Sequence, residues 1–508
     1  MKCLCVYTTD PYSNTGLSIS RADKPLESLL FIPFGVSSIA TCLQQAGHAV
    51  RLVALLDQPE SVTRFKKELA AFAPQLVCFT AVSSKFRSVK MLARATRQVS
   101  PLTFILIGGH HATLAPESVM GEDCFDGLCI GEGEEAVIEV AEQLARGERP
   151  SAVGNMWFRT VHGVEKNPQR PFIEDLDSLP HIDRHMWDEW VETKNLPSLL
   201  LGRGCPYKCT YCSNHVLAEV APGKYVRLRS PQDVVKELAS LDETYEDVGT
   251  VYLEVETFSA NQRYAYALCD ALEEFNRHRS RPLSFGINMN VYRRALQDTE
   301  LFERMRRANF VFINVGLESG SERIRTEVLR RPKYTNDEFL QFCELVKRHG
   351  MSVNVYVLFG LPEETAADAQ ETIDMLKRAK PSALLPSVFF PYPGTDLYNR
   401  LVQMGLLDEK EFFETFQGNQ ERFQARIDYP GLSRRRIEWL LITLHYRVYA
   451  GLWPWRRRLA ITVFALLYVY PRLRLVRLAL LNNPVARALN RTSAFVSRLL
   501  ASPAASPT

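Results

Sequence analysis

The sequence predicts an α/β chain: two parallel-sheet domains, one after the other, and then a helical region. Three observations carry this. Short apolar runs alternate with longer helical ones across residues 1–150, and the same alternation resumes six times across residues 195–400. The segment between them, residues 151–194, is interrupted by prolines, and residues 401–508 read as helix with many arginines. With 508 residues, 46% of them hydrophobic and 23% charged, the chain has the length of roughly three domains and ample core.

In the first domain Lys2–Thr8 reads as a strand, Pro33–Ala46 as a helix, Val50–Leu55 as a strand and Ser61–Phe72 as a helix. Leu76–Thr80 is a buried strand, Lys85–Val99 a helix and Phe104–Ile107 a strand that ends in Gly108-Gly109. A last short strand, Leu128–Ile130, precedes Gly131-Glu132-Gly133-Glu134. The expected fold is a doubly wound, Rossmann-like sheet, which binds ligands at the carboxyl ends of its strands. Those ends carry Thr80–Ser84, Gly108–Thr113 and the GEGE run. No Gly-x-Gly-x-x-Gly turn follows the first strand, which excludes a dinucleotide site.

Residues 151–194 hold Pro168, Pro171, Pro180 and the acidic run Glu174–Asp177, and read as a hairpin and an extended linker. The second domain begins with a strand at Leu199–Leu201. Helix Pro231–Tyr245, strand Thr250–Leu253, helix Gln262–Arg277, strand Ser284–Asn288 and helix Thr299–Arg307 follow. Strand Phe310–Val315 leads to helices at Glu322–Leu329 and Asn336–Arg348. Strand Ser352–Phe359, helix Thr365–Ala379 and strand Ser387–Phe390 complete six repeats, two short of a closed eightfold barrel.

Beyond the barrel, Asp396–Met404, Lys410–Phe416 and the amphipathic Ser433–Tyr449 read as helices. Arg456-Arg457-Arg458 precede the apolar run Leu459–Tyr470, and Arg472, Arg474 and Arg477 follow it. As a helix this run spans roughly 18 Å against about 30 Å of bilayer hydrocarbon, too little to cross alone. From Gly431 onward there are thirteen arginines, no lysine and one acid, or +12, which leaves −9 for the rest of a chain of net charge +3. The basic character is local, and the aromatics are not spaced as stacking platforms, so nucleic acid is not an expected partner. Two readings of the tail stand: a helix on the barrel mouth with an arginine-rich outer face, or reversible contact with an anionic membrane surface. Residues 499–508 are expected to be disordered. The N-terminal apolar run is too short for a signal peptide, and most of the eleven cysteines are scattered through apolar runs, so the expected compartment is the cytoplasm.

The exception is Gly202–Asn214, GRGCPYKCTYCSN, with Cys205, Cys209 and Cys212 at spacings of four and three. Three thiolates so close can ligate three irons of a cubane and leave the fourth iron open, unlike the four thiolates usual in electron-transfer clusters. The alternative is zinc, with His215 as a fourth ligand. This Cys-x-x-x-Cys-x-x-Cys signature, with Tyr211 before its last cysteine, resembles the radical S-adenosylmethionine (radical SAM) enzymes. The first domain, through PFGVSSIA at Pro33–Ala40, AGHAV at Ala46–Val50, GGHHAT at Gly108–Thr113 and GEGE, resembles the cobalamin-binding domain that often precedes such a core.

The resemblance implies an open partial barrel, a 4Fe-4S cluster on the three cysteines and S-adenosylmethionine chelated to the open iron. It also implies roles for the successive strand ends. Tyr211 lies in the cluster loop; Glu256 would receive the methionyl ammonium, and Glu318 and Ser319 the ribose hydroxyls. Gly360 would admit adenine and Tyr392 cover it. The zinc alternative predicts none of these fragments. In the first domain the resemblance implies cobalamin at Ser83, Ser84, Gly108, Gly109, His111, Thr113, Gly131, Glu132 and Gly133. A histidine in a post-strand loop is more often a hydrogen-bonding structural residue, and that alternative stands for His111. The loop Thr9–Gly16 lacks the Asp-x-His-x-x-Gly motif, so no histidine is expected on cobalt. The implied activity is a cobalamin-dependent radical SAM methyltransferase acting on an unactivated carbon. The alternatives are a cyclase or rearrangement enzyme with the same cofactors, or a radical SAM enzyme without cobalamin. The implied partners are a small-molecule or natural-product substrate and an electron donor such as flavodoxin or ferredoxin. No catalytic acid or base is legible.

Overall fold

The computed structural model describes residues 1–9, 32–190, 197–245, 248–291, 293–409, 412 and 424–469. The first domain is built on β1 (Lys2–Thr9), β2 (Ala49–Leu56), β3 (Leu76–Thr80), β4 (Phe104–Gly108) and β5 (Gly127–Cys129), parallel and ordered β2-β1-β3-β4-β5. Helices α1 (Phe34–Gln45), α2 (Glu60–Phe72), α3 (Phe86–Val99), the short α4 (His110–Leu114) and α5 (Pro116–Met120), and α6 (Glu134–Ala145) join them. The strands are apolar on both sides because both faces are covered: Cys3, Leu4, Cys5 and Val6 are all fully buried. Strand order reverses between β1 and β3, and a sheet of this kind opens a crevice there, at its carboxyl edge.

The hairpin expected after residue 150 is present as β6 (Met156–Thr160) and β7 (Gly163–Lys166). It pairs antiparallel with β5, so the first sheet continues through Lys166. The following segment stays attached to the same domain. Trp187 Nε1 donates to Ser37 Oγ at 2.9 Å, and Trp190 Nε1 to the Leu52 carbonyl at 3.2 Å.

The second sheet is formed by β8 (Ser198–Leu200) and, after the cysteine loop, by five further strands. That loop is flanked by the antiparallel pair β9 (Gly202–Arg203) and β10 (Arg227–Leu228), and holds one helical turn, α7 (Asn214–Leu217). Helices α8 (Pro231–Thr244), α9 (Gln262–Arg277), α10 (Thr299–Arg307), α11 (Asn336–Arg348) and α12 (Ala366–Ala379) alternate with β11 (Thr250–Glu254), β12 (Ser284–Met289), β13 (Phe310–Glu318), β14 (Ser352–Phe359) and β15 (Ala383–Val388). All six strands are parallel, in the order β15-β14-β13-β12-β11-β8, and the two edges do not pair with each other. Period-two alternation divides the faces. Val251, Leu253, Ile287, Ile313, Val315 and Val355 are buried in the apolar core. On the opposite face Tyr252 OH donates to Asn288 Oδ1 (2.6 Å), Asn314 Nδ2 to Tyr252 OH (3.3 Å) and Asn354 Nδ2 to Asn314 Oδ1 (3.0 Å). The inner face therefore carries a polar rung where a closed barrel would have packed aliphatic layers.

Ser230, Asn261, Asp298, Thr335 and Thr365 cap α8 to α12 through side-chain oxygens, each cap contributing about 1 kcal/mol. These caps anchor the far ends of the loops that leave the strands' carboxyl ends. Two elements differ from expectation. The last strand covers Ala383–Val388 and not Ser387–Phe390, because Pro386 is accommodated in an edge strand with one unpaired side. Within the helix expected at Glu322–Leu329, Ile324–Val328 forms a π-helical turn.

α13 (Asp396–Gln403) is followed by α14 (Arg434–Val448) and α15 (Trp455–Val469). α14 packs on α12 and β15, burying Ile437, Leu440, Leu441 and Leu444, and Tyr449 OH donates to the Pro381 carbonyl at 3.2 Å. Among the described residues no helix is long and apolar enough to cross a membrane. The helix expected at Lys410–Phe416, apart from Phe412, lies outside the described residues, as do loop residues 10–16, Tyr470, Arg472, Arg474, Arg477 and residues 499–508.

Candidate functional site at the domain boundary

A cavity of about 580 Å³ lies where the carboxyl edge of the first sheet meets the cysteine loop. One wall is Tyr7, Thr80, Gly108, Gly109, Thr113, Gly131, Glu132 and Gly133; the other includes Arg203, Asn214, Tyr225 and Glu256. Its volume is in the range of cofactor sites.

On the first wall, Thr113 ties two loops together. Its Oγ1 donates to the Gly109 carbonyl (3.1 Å) and accepts from Gly131 N–H (3.0 Å). Gly109 has φ +89° and ψ −173°, a region open essentially to glycine alone. A Cβ there would stand 2.6 Å from Thr80 Oγ1 and 2.9 Å from the Ala81 carbonyl. Of the nine residues expected to hold cobalamin, Ser83, Ser84 and His111 do not line the cavity, and on the S-adenosylmethionine side Tyr211, Glu318, Ser319, Gly360 and Tyr392 do not line it either. His111 Nδ1 and Ser83 Oγ are 3.1 Å apart, and the His111 ring packs at a tilt against Phe86, 4.1 Å between centroids. Burial lowers the His111 pKa to about 4, with Lys90 adding to the effect. His111 is thus a neutral packing residue, and His110 is the one that lines the cavity. Ser84 is buried behind Val82, which lines the cavity in its place.

Glu132 also has another occupation. It accepts from Arg203 Nη1 (2.8 Å), Arg227 Nη1 (2.8 Å) and the Ile173 N–H (2.8 Å). Although burial opposes it, Arg227 and Arg203 hold its carboxyl below the usual carboxylate range.

The second wall takes Gly202, Arg203, Gly204 and Asn214 from the cysteine loop but none of its cysteines: Cys205 and Cys212 are half-buried and Cys209 is buried, while the eight cysteines outside the triplet are all buried. Burial pushes the thiol of Cys205 up to about 12 and that of Cys209 up to about 11. Such thiols ionise when a metal replaces their protons. Asn214 Nδ2 donates to Cys212 Sγ at 3.4 Å and is itself oriented by Tyr225 OH, which donates to Asn214 Oδ1 at 2.6 Å. Burial raises the Glu256 carboxyl, with Asn214 as its hydrogen-bond partner, so this carboxylate stands directly over the cysteine loop. Glu254, one pleat below, is pushed up to about 7 by burial and by Glu256.

Tyr211 is held from behind. Its hydroxyl accepts from Arg331 Nη1 at 2.7 Å, and the same nitrogen lies 3.1 Å from Glu318 Oε1. Arg331 Nη2 donates to Asn290 Oδ1 (2.9 Å) and the Gly316 carbonyl (3.0 Å), while its Nε is buried without a partner among the described residues. Glu318 adopts a left-handed φ of +60° to reach this pair. Ser319 is fully buried: its hydroxyl accepts from Ser321 N–H and lies 3.4 Å from Thr372 Oγ1. Gly360 has φ +75° and donates to Glu364 Oε2 at 2.7 Å; a Cβ there would meet Ile437 of α14. The Tyr392 ring packs edge-on against Phe390 at 4.9 Å. His215 lies 3.6 Å from Asp396, and no three His, Cys, Asp or Glu side chains among the described residues converge as on a single ion. Around tetrahedral zinc, thiolates sit only about 3.8 Å apart.

Two family models match this chain: the radical SAM superfamily over residues 199–376 and the B12 binding domain over residues 29–141. The chain therefore joins a B12 binding domain to a radical SAM domain. It is 24% identical to an uncharacterized methyltransferase of Pyrococcus horikoshii over 74% of this chain and 79% of that one. It is also 24% identical to the anaerobic magnesium-protoporphyrin IX monomethyl ester cyclase of Rubrivivax gelatinosus, over 78% and 75%. Among solved structures it resembles the radical S-adenosylmethionine methyltransferase TsrM from Kitasatospora setae with cobalamin and a [4Fe-4S] cluster bound. That match has a TM-score of 0.63 and 16% identity, covering 79% of this chain and 75% of that one.

The residues present fit the cofactors of cobalamin-dependent radical SAM enzymes. On the first wall the room for a bulky cofactor comes from Gly108, Gly109, Gly131 and Gly133; Ser84 Oγ and Thr8 Oγ1 nearby are buried donors without partners among the described residues, but neither residue lines the cavity. The unassigned Nε of Arg331 beside Tyr211 is a third such donor. Arg331, Arg203, Arg227, Asn214 and Tyr225 are absent from the sequence-based site. Arg203 and Asn214 lie inside the Gly202–Asn214 stretch, but the side-chain partners of all five, Cys212 apart, lie 11 to 120 residues away, so the sequence does not show what they hold.

Proposed function

We propose that this chain is a cobalamin-dependent radical SAM methyltransferase that methylates an unactivated carbon of a small-molecule substrate. The observation that carries the reading is the shared cavity: the strand ends of the B12 domain and the cysteine loop face each other across one space. When bound, the cluster and S-adenosylmethionine supply a carbon-centred radical and cobalamin supplies a methyl group. Cys205, Cys209 and Cys212 would hold the cluster. Glu256 is sited to receive an ammonium, and Arg331 Nε is the open donor for a carboxylate. Gly109, Thr113 and Gly131 give the backbone approach a bulky cofactor needs. The two domains supply opposite walls of the space. A one-electron reductant must come from outside the chain, for which a flavodoxin or ferredoxin is the proposed class.

Incubation with methyl-labelled S-adenosylmethionine and candidate substrates tests this. Label in the product supports methylation, and conversion without label supports the cyclase or rearrangement reading favoured by the Rubrivivax relative. Cys209→Ala should abolish 5′-deoxyadenosine formation; persistence would remove the cluster assignment.

The tail supports a second, independent reading, contact with an anionic membrane surface. Trp439 and Tyr446 lie on one stripe of α14, Trp455, Leu459 and Val463 on one stripe of α15, all exposed, beside Arg456-Arg457-Arg458. Exposed aromatics flanked by arginines suit a headgroup layer. Co-sedimentation with phosphatidylserine vesicles that is unchanged in Trp439→Ser/Trp455→Ser would refute it.

A further inference from the structure

The carboxylates of the GEGE run reach across the domain boundary. Glu132 bridges Arg203 and Arg227, as described above, and Glu134 Oε1 accepts from Arg203 Nη2 at 2.5 Å and from Ser38 Oγ at 3.0 Å. Arg203 therefore holds two carboxylates from one loop with the two arms of its guanidinium. Arg227 is 3% exposed and Glu134 5%. Buried, multiply bonded ion pairs of this kind fix register, because losing one partner strands the other.

What the clamp joins gives it meaning. Gly131 and Gly133, beside the two glutamates, line the cavity from the first domain. Arg203 and Arg227 form the β9–β10 pair, and Arg203 stands two residues before Cys205. A Cβ at Gly204, between them, would collide with the Tyr225 carbonyl, so this strand has little room to shift. Displacement of the glycine loop is thus transmitted over a few bonds to the first cysteine.

We propose that Glu132 and Glu134 are positioning residues that lock the cobalamin-side loop to the cysteine-bearing strand, so that occupation of the cobalamin site alters affinity for S-adenosylmethionine. The inference rests on the cofactor reading given under Proposed function. Coupling between two sites is reciprocal and commonly amounts to 5- to 150-fold. The clamp is the physical element both sites share.

The test uses the full chain, anaerobically reconstituted, with S-adenosylmethionine binding measured with and without hydroxocobalamin. In the unmodified chain hydroxocobalamin should change that affinity at least about fivefold. In Glu132→Gln and Glu134→Gln the factor should fall to within twofold of unity, and a variant that retains no hydroxocobalamin is judged by the hydrogen-exchange measurement below. A factor near one in the unmodified chain, or one that survives both substitutions, overturns the proposal. Should the unmodified chain retain no hydroxocobalamin, the cofactor reading falls, and the clamp is judged on the cofactor-free chain by hydrogen exchange. There, both substitutions should speed exchange at residues 131–134 and 202–204 together by tenfold or more. Unchanged exchange overturns the lock as well.

Discussion

Replacing Arg331 by methionine tests the least anticipated part of the site. The guanidinium is 7% exposed and makes four contacts at 2.7 to 3.1 Å, to Tyr211, Glu318, Asn290 and the Gly316 carbonyl. Methionine keeps much of the volume and removes all four. Glu318, 9% exposed, is then left with no cation beside it, and breaking one side of a buried pair typically costs about 3–5 kcal/mol. With a urea dependence near 3 kcal/mol/M, the barrel midpoint should fall by about 1–1.7 M. The companion Glu318→Leu/Arg331→Met removes both charges and should recover at least half of that loss. Urea unfolding followed by ellipticity, on the cluster-free chain, reads these two variants and Glu318→Leu alone. A loss below about 1 kcal/mol for Arg331→Met, or a double variant as unstable as the two single losses combined, would refute the buried-pair argument. Arg331→Lys should fold better than the methionine variant yet still lower 5′-deoxyadenosine formation, because an ammonium lacks the planar fork that reaches Tyr211 and Asn290 together.

Two further outcomes follow from the first domain. Gly109→Ala should cost about 1–3 kcal/mol in backbone strain alone, and weaken hydroxocobalamin binding at least tenfold in a spectrophotometric titration. Gly47→Ala, also at positive φ but with nothing within 4 Å, should cost about 1–2 kcal/mol and leave that titration unchanged. His111 supplies a pH signature. Its folded pKa of about 4 lies below the ordinary 6.5, so its contribution is complete above pH 6.5 and is lost as pH falls toward 4. The first domain should lose about 2 kcal/mol between pH 7 and 5, and His111→Gln should flatten that slope; a slope unchanged by the substitution would exclude His111 as its source.

The sequence announces the architecture because each repeat is local: an apolar run of three to nine residues, a turn and a helix can be read without knowing what packs on them. The cysteine triplet is legible for the same reason, its three ligands lying within eight residues. Legibility fails where a side chain's partner is distant. Glu132 looks like part of a glycine loop for a cofactor, yet its charge answers Arg203 and Arg227, 71 and 95 residues on. His111 sits in a loop at the cofactor edge, but local sequence does not say whether its ring faces the cavity or turns inward to Ser83 and Phe86. Ser319 follows Glu318 directly, and the left-handed turn at Glu318 sends it into the packing against α12. The open face of the second sheet was invisible too, since the asparagines of three strands meet only once the register aligns Asn288, Asn314 and Asn354.

That rung has an evolutionary consequence. In a closed eight-stranded barrel the interior holds the fold together, so changing what lies inside risks the whole. Here the apolar load is carried by the outer face, against the helices, and the inner residues are secured chiefly to one another. Replacing Asn288 or Asn354 therefore alters the chemistry of the inner face with little claim on the scaffold. A chain of this design can drift toward new substrates by point changes, while the face that keeps it folded stays untouched.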